Sequence, residues 1–194
     1  MNMSKTLLAL FAAAGLCLAG GANAATGSKE ARDQAIKTAE ATYKADKASC
    51  DALKANAKDI CMEEAKGKEK VAKAEANAAY EGTPKARESA RKARADATYE
   101  VAKEKCDDLA GNAKDVCVKE AKAAHVKATA DAKVDRVAAD SSTTAMQKTS
   151  EARKDAAEDK RDADYKVAIE KCDALAGAPK DACVKDAKIK YGKT

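Results

Sequence analysis

This sequence of 194 residues contains no tryptophan, one phenylalanine, one histidine and two prolines, and aromatic residues make up only 3% of it. Alanine is abundant, but it buries little apolar area although it favours helices, so the composition excludes a sizeable hydrophobic core. A glycine-rich phosphate loop, a serine elbow and an EF-hand spacing are all absent from the sequence. We therefore expect a protein that is not an enzyme and that has no cofactor or metal.

The charge also gives little reason to expect nucleic acid or a membrane as a partner. Lysine and arginine number 37 and the acidic residues 32, for a net charge of +5. Both signs alternate along the chain, as in Lys103-Glu104-Lys105, and aromatic residues that could stack on bases are few. Alanine faces offer too little apolar area to hold an interfacial helix. We expect no nucleic-acid partner, and no membrane insertion once the N-terminal segment has been removed.

Residues 1–24 have the features of a secretory signal peptide. Lys5 supplies the positive charge, Leu7 to Leu18 form a short apolar core, and Ala22-Asn23-Ala24 is a small-residue cleavage pattern. The apolar core is too short to span a membrane in the mature protein. We predict export to the periplasm, with secretion as the alternative. Cys17 lies within this segment and is excluded from the mature fold.

A twelve-residue segment that begins and ends with cysteine occurs three times. The copies read CDALKANAKDIC, CDDLAGNAKDVC and CDALAGAPKDAC and begin 56 and 66 residues apart. A tyrosine stands seven residues before each first cysteine: Tyr43, Tyr99 and Tyr165. A unit that recurs in this way predicts an array of similar supersecondary units.

The centre of each copy contains residues that commonly end one helix and begin another. Gly111 suits a helix C-cap and Asn112 a helix N-cap. In the third copy Gly177 can end a helix, and Pro179 lies where the next can begin. The first copy has Ala55 in place of the glycine. We interpret each copy as the tip of an antiparallel helical hairpin.

The expected register of such a hairpin places both cysteines of a copy opposite each other. In the second copy the same register pairs Ala102 with Ala121, Tyr99 with Ala124, and Ala95 with Ala128, which is a seam of small residues. Steps of four and three residues predict one shared helix face on the first arm for Ala95, Tyr99, Ala102, Cys106 and Leu109. Small residues let helices approach closely, as a disulfide requires. Of fifteen possible connectivities, the register selects Cys50 with Cys61, Cys106 with Cys117, and Cys172 with Cys183. Metal thiolates and thiol exchange are the alternatives, which a single histidine and the absence of a CxxC pair make weaker.

The predicted fold is all-α, with three tandem stapled hairpins in residues 25–82, 83–140 and 141–194. The first arm of hairpin 1 is predicted to run from a cap at Ser28 to about Ala55. Thr83 and Pro84 mark a helix start after the first hairpin. A polar connector at residues 140–144 precedes the third hairpin, whose first arm is predicted to end at Ala176. The final return arm, residues 179–191, is short. Both an elongated rod and a loose bundle agree with the sequence, and the mixed charge on the helix faces favours the rod.

Each tip also repeats an aspartate after the first cysteine and a lysine seven residues later. One interpretation is a repeated binding tip for cations or for a protein. The other is a local ion pair across the turn, copied by internal duplication, and it is the one we favour. The residues concerned are Asp51, Asp107 and Asp173, with Lys58, Lys114 and Lys180.

The alanine-, lysine- and glutamate-rich stretches, such as residues 68–76, resemble the helical region of TolA-like cell-envelope proteins and late-embryogenesis-abundant stress proteins. The cysteine motif with its tyrosine resembles exported alanine- and lysine-rich repeat proteins of proteobacteria. The resemblance implies a cell-envelope setting and assigns no site residues.

Three functional hypotheses follow from these observations. The first is a non-enzymatic periplasmic structural or stress-protective protein that acts as a spacer, a scaffold or a soluble shield. The second is a binding module that presents its hairpin tips to an envelope protein, peptidoglycan or a metal. The third is a thiol-based redox or metal-binding protein.

Overall fold

The computed structural model describes residues 27–140 and 144–193, and within these ranges all regular secondary structure is α-helical. The predicted signal peptide and Cys17 lie outside the described residues. The helices are α1 (Lys29–Cys50), α2 (Ala55–Glu81), α3 (Pro84–Cys106), α4 (Gly111–Ala138), α5 (Ala145–Cys172) and α6 (Ala178–Tyr191). The all-α prediction is confirmed.

Three disulfides join consecutive helices into hairpin 1 (α1–α2), hairpin 2 (α3–α4) and hairpin 3 (α5–α6). The Cα–Cα distances are 5.6 Å for Cys50–Cys61, 5.7 Å for Cys106–Cys117 and 5.7 Å for Cys172–Cys183. These distances lie in the normal range for a disulfide. The predicted pairing and the stapled-hairpin fold are both confirmed.

The hairpins lie side by side in a single layer. In the described part of the chain each helix contacts only the helices that precede and follow it, so α2 packs on α3 and α4 packs on α5. A bundle would add contacts between helices distant in sequence, such as α1 with α4. The arrangement is an elongated up-and-down array in which every interface is local in sequence.

The buried apolar residues are small. Among the described residues they are all alanine or the first cysteine of a pair, and they are Ala39, Cys50, Ala65, Ala86, Ala90, Ala95, Cys106, Ala123, Ala130, Ala132, Ala152, Ala156, Ala163, Cys172 and Ala187. Small side chains allow the helices to pack closely but bury little area per residue. The stability of the layer therefore depends strongly on its cross-links and its helix ends.

The first residues of α1 and α3 are capped as the sequence predicts. The Ser28 hydroxyl accepts a hydrogen bond from Ala31 N at 3.1 Å, and the Thr83 hydroxyl accepts one from Ala86 N at 3.0 Å, with Pro84 following Thr83 in the first turn of α3. Each side-chain oxygen satisfies a backbone donor that has no partner within the helix. Both caps were predicted because the signal is local.

The first arms of hairpins 1 and 3 end earlier than predicted. We expected helices to about Ala55 and Ala176, whereas α1 ends at Cys50 and α5 ends at Cys172. The chain turns directly after each first cysteine, where the leucine nitrogen three residues on donates to the carbonyl of that cysteine and the helical hydrogen-bond pattern ends. The residues after the cysteine form tight turns instead of a further helical turn.

The predicted seam of hairpin 2 lies along an open groove. Ala95 is buried and Ala102 and Ala121 are half-buried, whereas Ala124 and Ala128 are exposed. All five line a groove of about 470 Å³ between α3 and α4, together with Tyr99. The shared groove and the Cys106–Cys117 bridge agree with the predicted register, whereas the buried residues of α4 are Ala123, Ala130 and Ala132.

Candidate functional site

The three hairpin tips, residues 51–54, 107–110 and 173–177, form a row along one edge of the layer. Two asparagines hold this row in register. Asn56 Nδ2 donates to Glu104 O at 2.8 Å and Asn112 Nδ2 donates to Glu170 O at 3.0 Å. Each bond joins the start of a return helix to the end of the next first arm. With neighbouring helices roughly 8 to 10 Å apart, successive tips are roughly 16 to 20 Å apart.

The three tips share two backbone features, although α6 begins one residue later in its repeat than α2 and α4 do. The leucine nitrogen in each tip donates to the carbonyl of the first cysteine at 3.0 Å. A residue with left-handed φ follows at Ala55 (47°), Gly111 (55°) and Gly177 (58°). Glycine adopts this conformation without steric cost, whereas alanine does not. The first tip therefore forms the common turn with some backbone strain.

The predicted capping roles of Gly111 and Asn112 were wrong. Gly111 is the first residue of α4 and does not end α3, and the N-cap position is Ala110, which has no side-chain cap. The Asn112 side chain is instead directed toward α5 and binds the Glu170 carbonyl. The residue preferences of helix caps could not reveal the contact with Glu170, because this partner of Asn112 is 58 residues away in sequence.

The repeated aspartates and lysines form ion pairs within each tip. The Nζ–Oδ1 distances are 2.9 Å for Lys58–Asp51, 3.0 Å for Lys114–Asp107 and 2.9 Å for Lys180–Asp173. All six side chains are at least 41% exposed. The hydrogen bond from the Lys58 ammonium holds the pKa of Asp51 below its usual value. These geometries fit the local ion-pair interpretation, in which the contribution of each pair to stability is small.

The most unusual feature of the row is a repeated exposed leucine. Leu53, Leu109 and Leu175 are 42%, 44% and 44% exposed, although large apolar residues are scarce in this chain. We had placed Leu109 on the apolar face of the first arm from its spacing to Cys106. That prediction was wrong because α3 ends at Cys106, so Leu109 lies in the turn beyond the helix. The row thus presents three similar apolar side chains, each beside an exposed ion pair.

The repeated aspartates of the tips are engaged in ion pairs, and His125 lies away from the tips. The carboxylates of these three aspartates are exposed, and each is paired with the ammonium group of a lysine in its own tip. Across residues 27–140 and 144–193, no three or more His, Cys, Asp or Glu side chains are grouped to hold a metal. His125 lies between α3 and α4, with Nε2 2.5 Å from Asp96 Oδ1 and its ring centroid 5.3 Å from that of Tyr99.

Shallow grooves also run between neighbouring helices, with volumes of about 490, 510, 470 and 490 Å³ from α1–α2 to α4–α5. Lys68, Thr98 and Ala124 each line two adjacent grooves, so the four grooves open on the same face of the layer. Their floors are alanine, glycine and valine, and their rims carry charged side chains. Because they are open along their length, they do not enclose a ligand.

The disulfides are well protected and indicate an oxidising compartment. Cys50, Cys106 and Cys172 are 0%, 0% and 1% exposed. Disulfides of this kind persist outside the cytoplasm, so the chain is extracytoplasmic. In the part of the chain that the structure describes, no helix is long and apolar enough to cross a membrane.

Comparisons with known proteins add no further assignment. The chain matches no family of known sequences, no curated protein and no solved structure. The tip row and the disulfide-stapled layer are therefore the features from which a function must be argued.

Proposed function

We propose that this protein is a non-enzymatic structural protein of the cell envelope, a spacer or scaffold built from stapled helical hairpins. The observation that carries the proposal is the combination of three buried disulfides with a single layer of helices. A protein with this architecture has a defined length and width but encloses no site. The longest helices, α2, α4 and α5, have 27 or 28 residues and are roughly 40 Å long. The six helices side by side span roughly 50 Å.

Several observations support a location in the periplasm. The signal-like N-terminus predicts export, and the disulfides indicate an oxidising compartment on arrival. The resemblance to TolA-like and stress-protective helical proteins favours a role in the envelope. Ion pairs between helices, such as Lys73–Glu40 at 2.9 Å and Lys171–Glu120 at 2.6 Å, place many charged groups on the surface of the layer. Such a surface suits a spacer or a soluble shield.

The proposal is tested by complementation of a deletion strain. The readout is leakage of an extracytoplasmic marker protein under osmotic and thermal stress. We expect wild type to restore the barrier, and a variant lacking all six disulfide cysteines to fail at the higher temperature. Loss of complementation when only the tip side chains are changed, with the disulfides and helicity intact, would contradict a purely structural role.

The exposed leucines favour a second candidate, in which the tip row binds a partner in the envelope. An exposed apolar residue repeated three times at regular spacing suits a protein partner that is itself extended or repetitive. The test is a pull-down from envelope extracts with Leu53→Ala, Leu109→Ala and Leu175→Ala combined. The matched control combines Ala52→Ser, Asp108→Asn and Ala174→Ser in the same tips. Loss of a captured protein with the leucine variant alone would support binding, whereas equal capture by both variants would remove this candidate.

The third hypothesis, a thiol-based redox or metal-binding protein, is distinguished from the structural and tip-binding roles by counting free thiols in the same extracts. Attack on a disulfide requires access to sulfur, and one sulfur of each bridge is buried in a helix interface. We expect the six cysteines to remain oxidised in every growth condition. A fraction of free thiol that changes with growth condition would favour the redox hypothesis.

A further inference from the structure

The interface between hairpins 1 and 2 contains three polar contacts that are spread along α2 and α3. Two of them use the last turn of α3, where they reach the first turn of α2 and a position about two turns further along α2, and the third lies further along both helices. They are the hydrogen bond from Asn56 Nδ2 to Glu104 O at 2.8 Å, the ion pair of Lys105 with Glu64 at 3.7 Å, and the hydrogen bond from Arg94 Nε to Glu75 at 2.6 Å.

The interface between hairpins 2 and 3 repeats the same three contacts at equivalent positions. They are Asn112 Nδ2 to Glu170 O at 3.0 Å, Lys171 with Glu120 at 2.6 Å, and Lys160 with Asp131. Every α4 residue is 56 positions after its α2 equivalent, and every α5 residue is 66 positions after its α3 equivalent. These are the two spacings of the cysteine motif, so the stacking contacts were duplicated together with the hairpins.

A small residue at a fixed position allows the stacked helices to approach. Gly67 of α2 and Ala123 of α4 are equivalent, and both are buried. A Cβ atom added to Gly67 would lie 2.9 Å from the Cβ atom of Ala97, which is closer than van der Waals contact. A large side chain at this position is therefore incompatible with the same stacking.

The outer face of α1 lacks the two basic side chains that take part in these contacts on α3 and α5. Thr38 stands at the position of Arg94, and Ser49 stands at the position of Lys105. Both hydroxyls donate to carbonyls within α1, Thr38 to Gln34 O at 2.9 Å and Ser49 to Ala45 O at 3.1 Å. This edge therefore offers no cation to a further hairpin at either position.

The outer face of α6 lacks the asparagine and the small residue that the stacked return helices share. Ala178 replaces the asparagine of the earlier copies, and Ile189 stands where α2 has Gly67 and α4 has Ala123. Ile189 is 63% exposed, so the layer leaves a large apolar side chain in solvent at this edge. The equivalent Gly67 lacks room even for a methyl group without movement of α3, and an isoleucine would hold a further helix away.

We infer that these three contacts and the small residue form a stacking code, and that both outer edges have lost it so that a second copy of the chain cannot extend the layer. One half of the code is the asparagine, the two acidic residues and the small residue on a return helix (α2 or α4), and the other half is the two basic residues on the next first arm (α3 or α5). Hairpin 2 carries both halves, hairpin 1 only the half on α2, and hairpin 3 only the half on α5. In repeat proteins, terminal units with altered outer faces prevent open-ended association. Each edge is closed in a different way, the first by missing charge and the last by a missing amide and an obstructing side chain.

The experiment restores the code one edge at a time in the exported full-length chain. Variant one carries Ser49→Lys, and variant two carries Ala178→Asn and Ile189→Ala. The arginine contact is left out because α6 ends at Tyr191, before the position equivalent to Glu75 and Asp131, whereas Asp186 stands at the position of Glu64 and Glu120 and can pair with the new lysine. All three substituted positions are exposed, so the changes leave the hairpins intact, which circular dichroism checks. We expect wild type and each variant alone to sediment with the mass of one chain, and an equimolar mixture of the two variants to give a complex of one copy of each.

A matched control separates the obstruction from the polar contacts. Variant three carries Ala178→Asn but keeps Ile189, and its mixture with variant one should remain monomeric. The complex of variants one and two should also weaken with added salt, because exposed ion pairs are screened. The inference is overturned if that mixture stays monomeric. It is also overturned if wild type forms oligomers that Ile189→Glu disrupts.

Discussion

Removing the disulfide of hairpin 2 should lower the stability of the oxidised protein by about 3 kcal/mol. The bridge Cys106–Cys117 spans a sequence separation of 11, and the entropy that a loop of this size loses in the unfolded chain corresponds to about 3 kcal/mol. We choose Cys106→Ala with Cys117→Ala because Cys106 is fully buried, and serine would add a buried hydroxyl without a partner. Alanine is also the residue that fills the helix interfaces elsewhere.

The assay is thermal unfolding of the exported chain, followed by circular dichroism. For a chain of this size a loss of about 3 kcal/mol corresponds to a decrease of roughly 6 to 12 °C in the melting temperature of the unit that contains hairpin 2. The control is the same pair of proteins in strong reductant, where the difference should largely disappear because the bridge is absent from both. An unchanged melting temperature for the variant under oxidising conditions would refute the reasoning.

Three further predictions concern the tips and the helix starts. Ala55→Gly should stabilise the protein by about 0.5 to 1 kcal/mol in chemical denaturation, because glycine relieves the left-handed strain; a loss of stability would contradict this. Asn112→Ala should cost about 1 kcal/mol by removing the bond to α5, whereas the exposed Asn77→Ala should be neutral; equal effects would contradict the bridging role. Thr83→Ala should cost about 1 kcal/mol through loss of the α3 cap, while Ser89→Ala, within the same helix, should cost nothing.

The local features of the fold were predictable because their causes are close together in sequence. The cysteine spacing indicated the pairing, since a chain that bends between Cys106 and Cys117 brings the two residues to bonding distance. The Ser28 and Thr83 caps followed from the side-chain chemistry of single residues. Gly111 was ambiguous, since glycine both ends helices and occupies left-handed turns, and the choice depended on where the disulfide placed the bend.

The packing between hairpins was not predicted, because each of its contacts joins residues far apart in sequence. Asn112 looked like a helix cap, and only the presence of α5 beside it shows its role. The signal was nevertheless present in the sequence. Comparing Glu64 with Glu120, and Lys105 with Lys171, at the two repeat spacings would have identified positions conserved between copies outside the cysteine motif. The exposure of Leu109 was missed because the helix was assumed to continue beyond Cys106.

Peptide mapping of the exported protein under non-reducing conditions tests the central claim most directly. Proteolysis followed by mass spectrometry identifies which cysteine-containing peptides remain joined. The stapled-hairpin account predicts three linkages, each within one copy of the motif: Cys50–Cys61, Cys106–Cys117 and Cys172–Cys183. Linkages between different copies, or six free thiols, would contradict it.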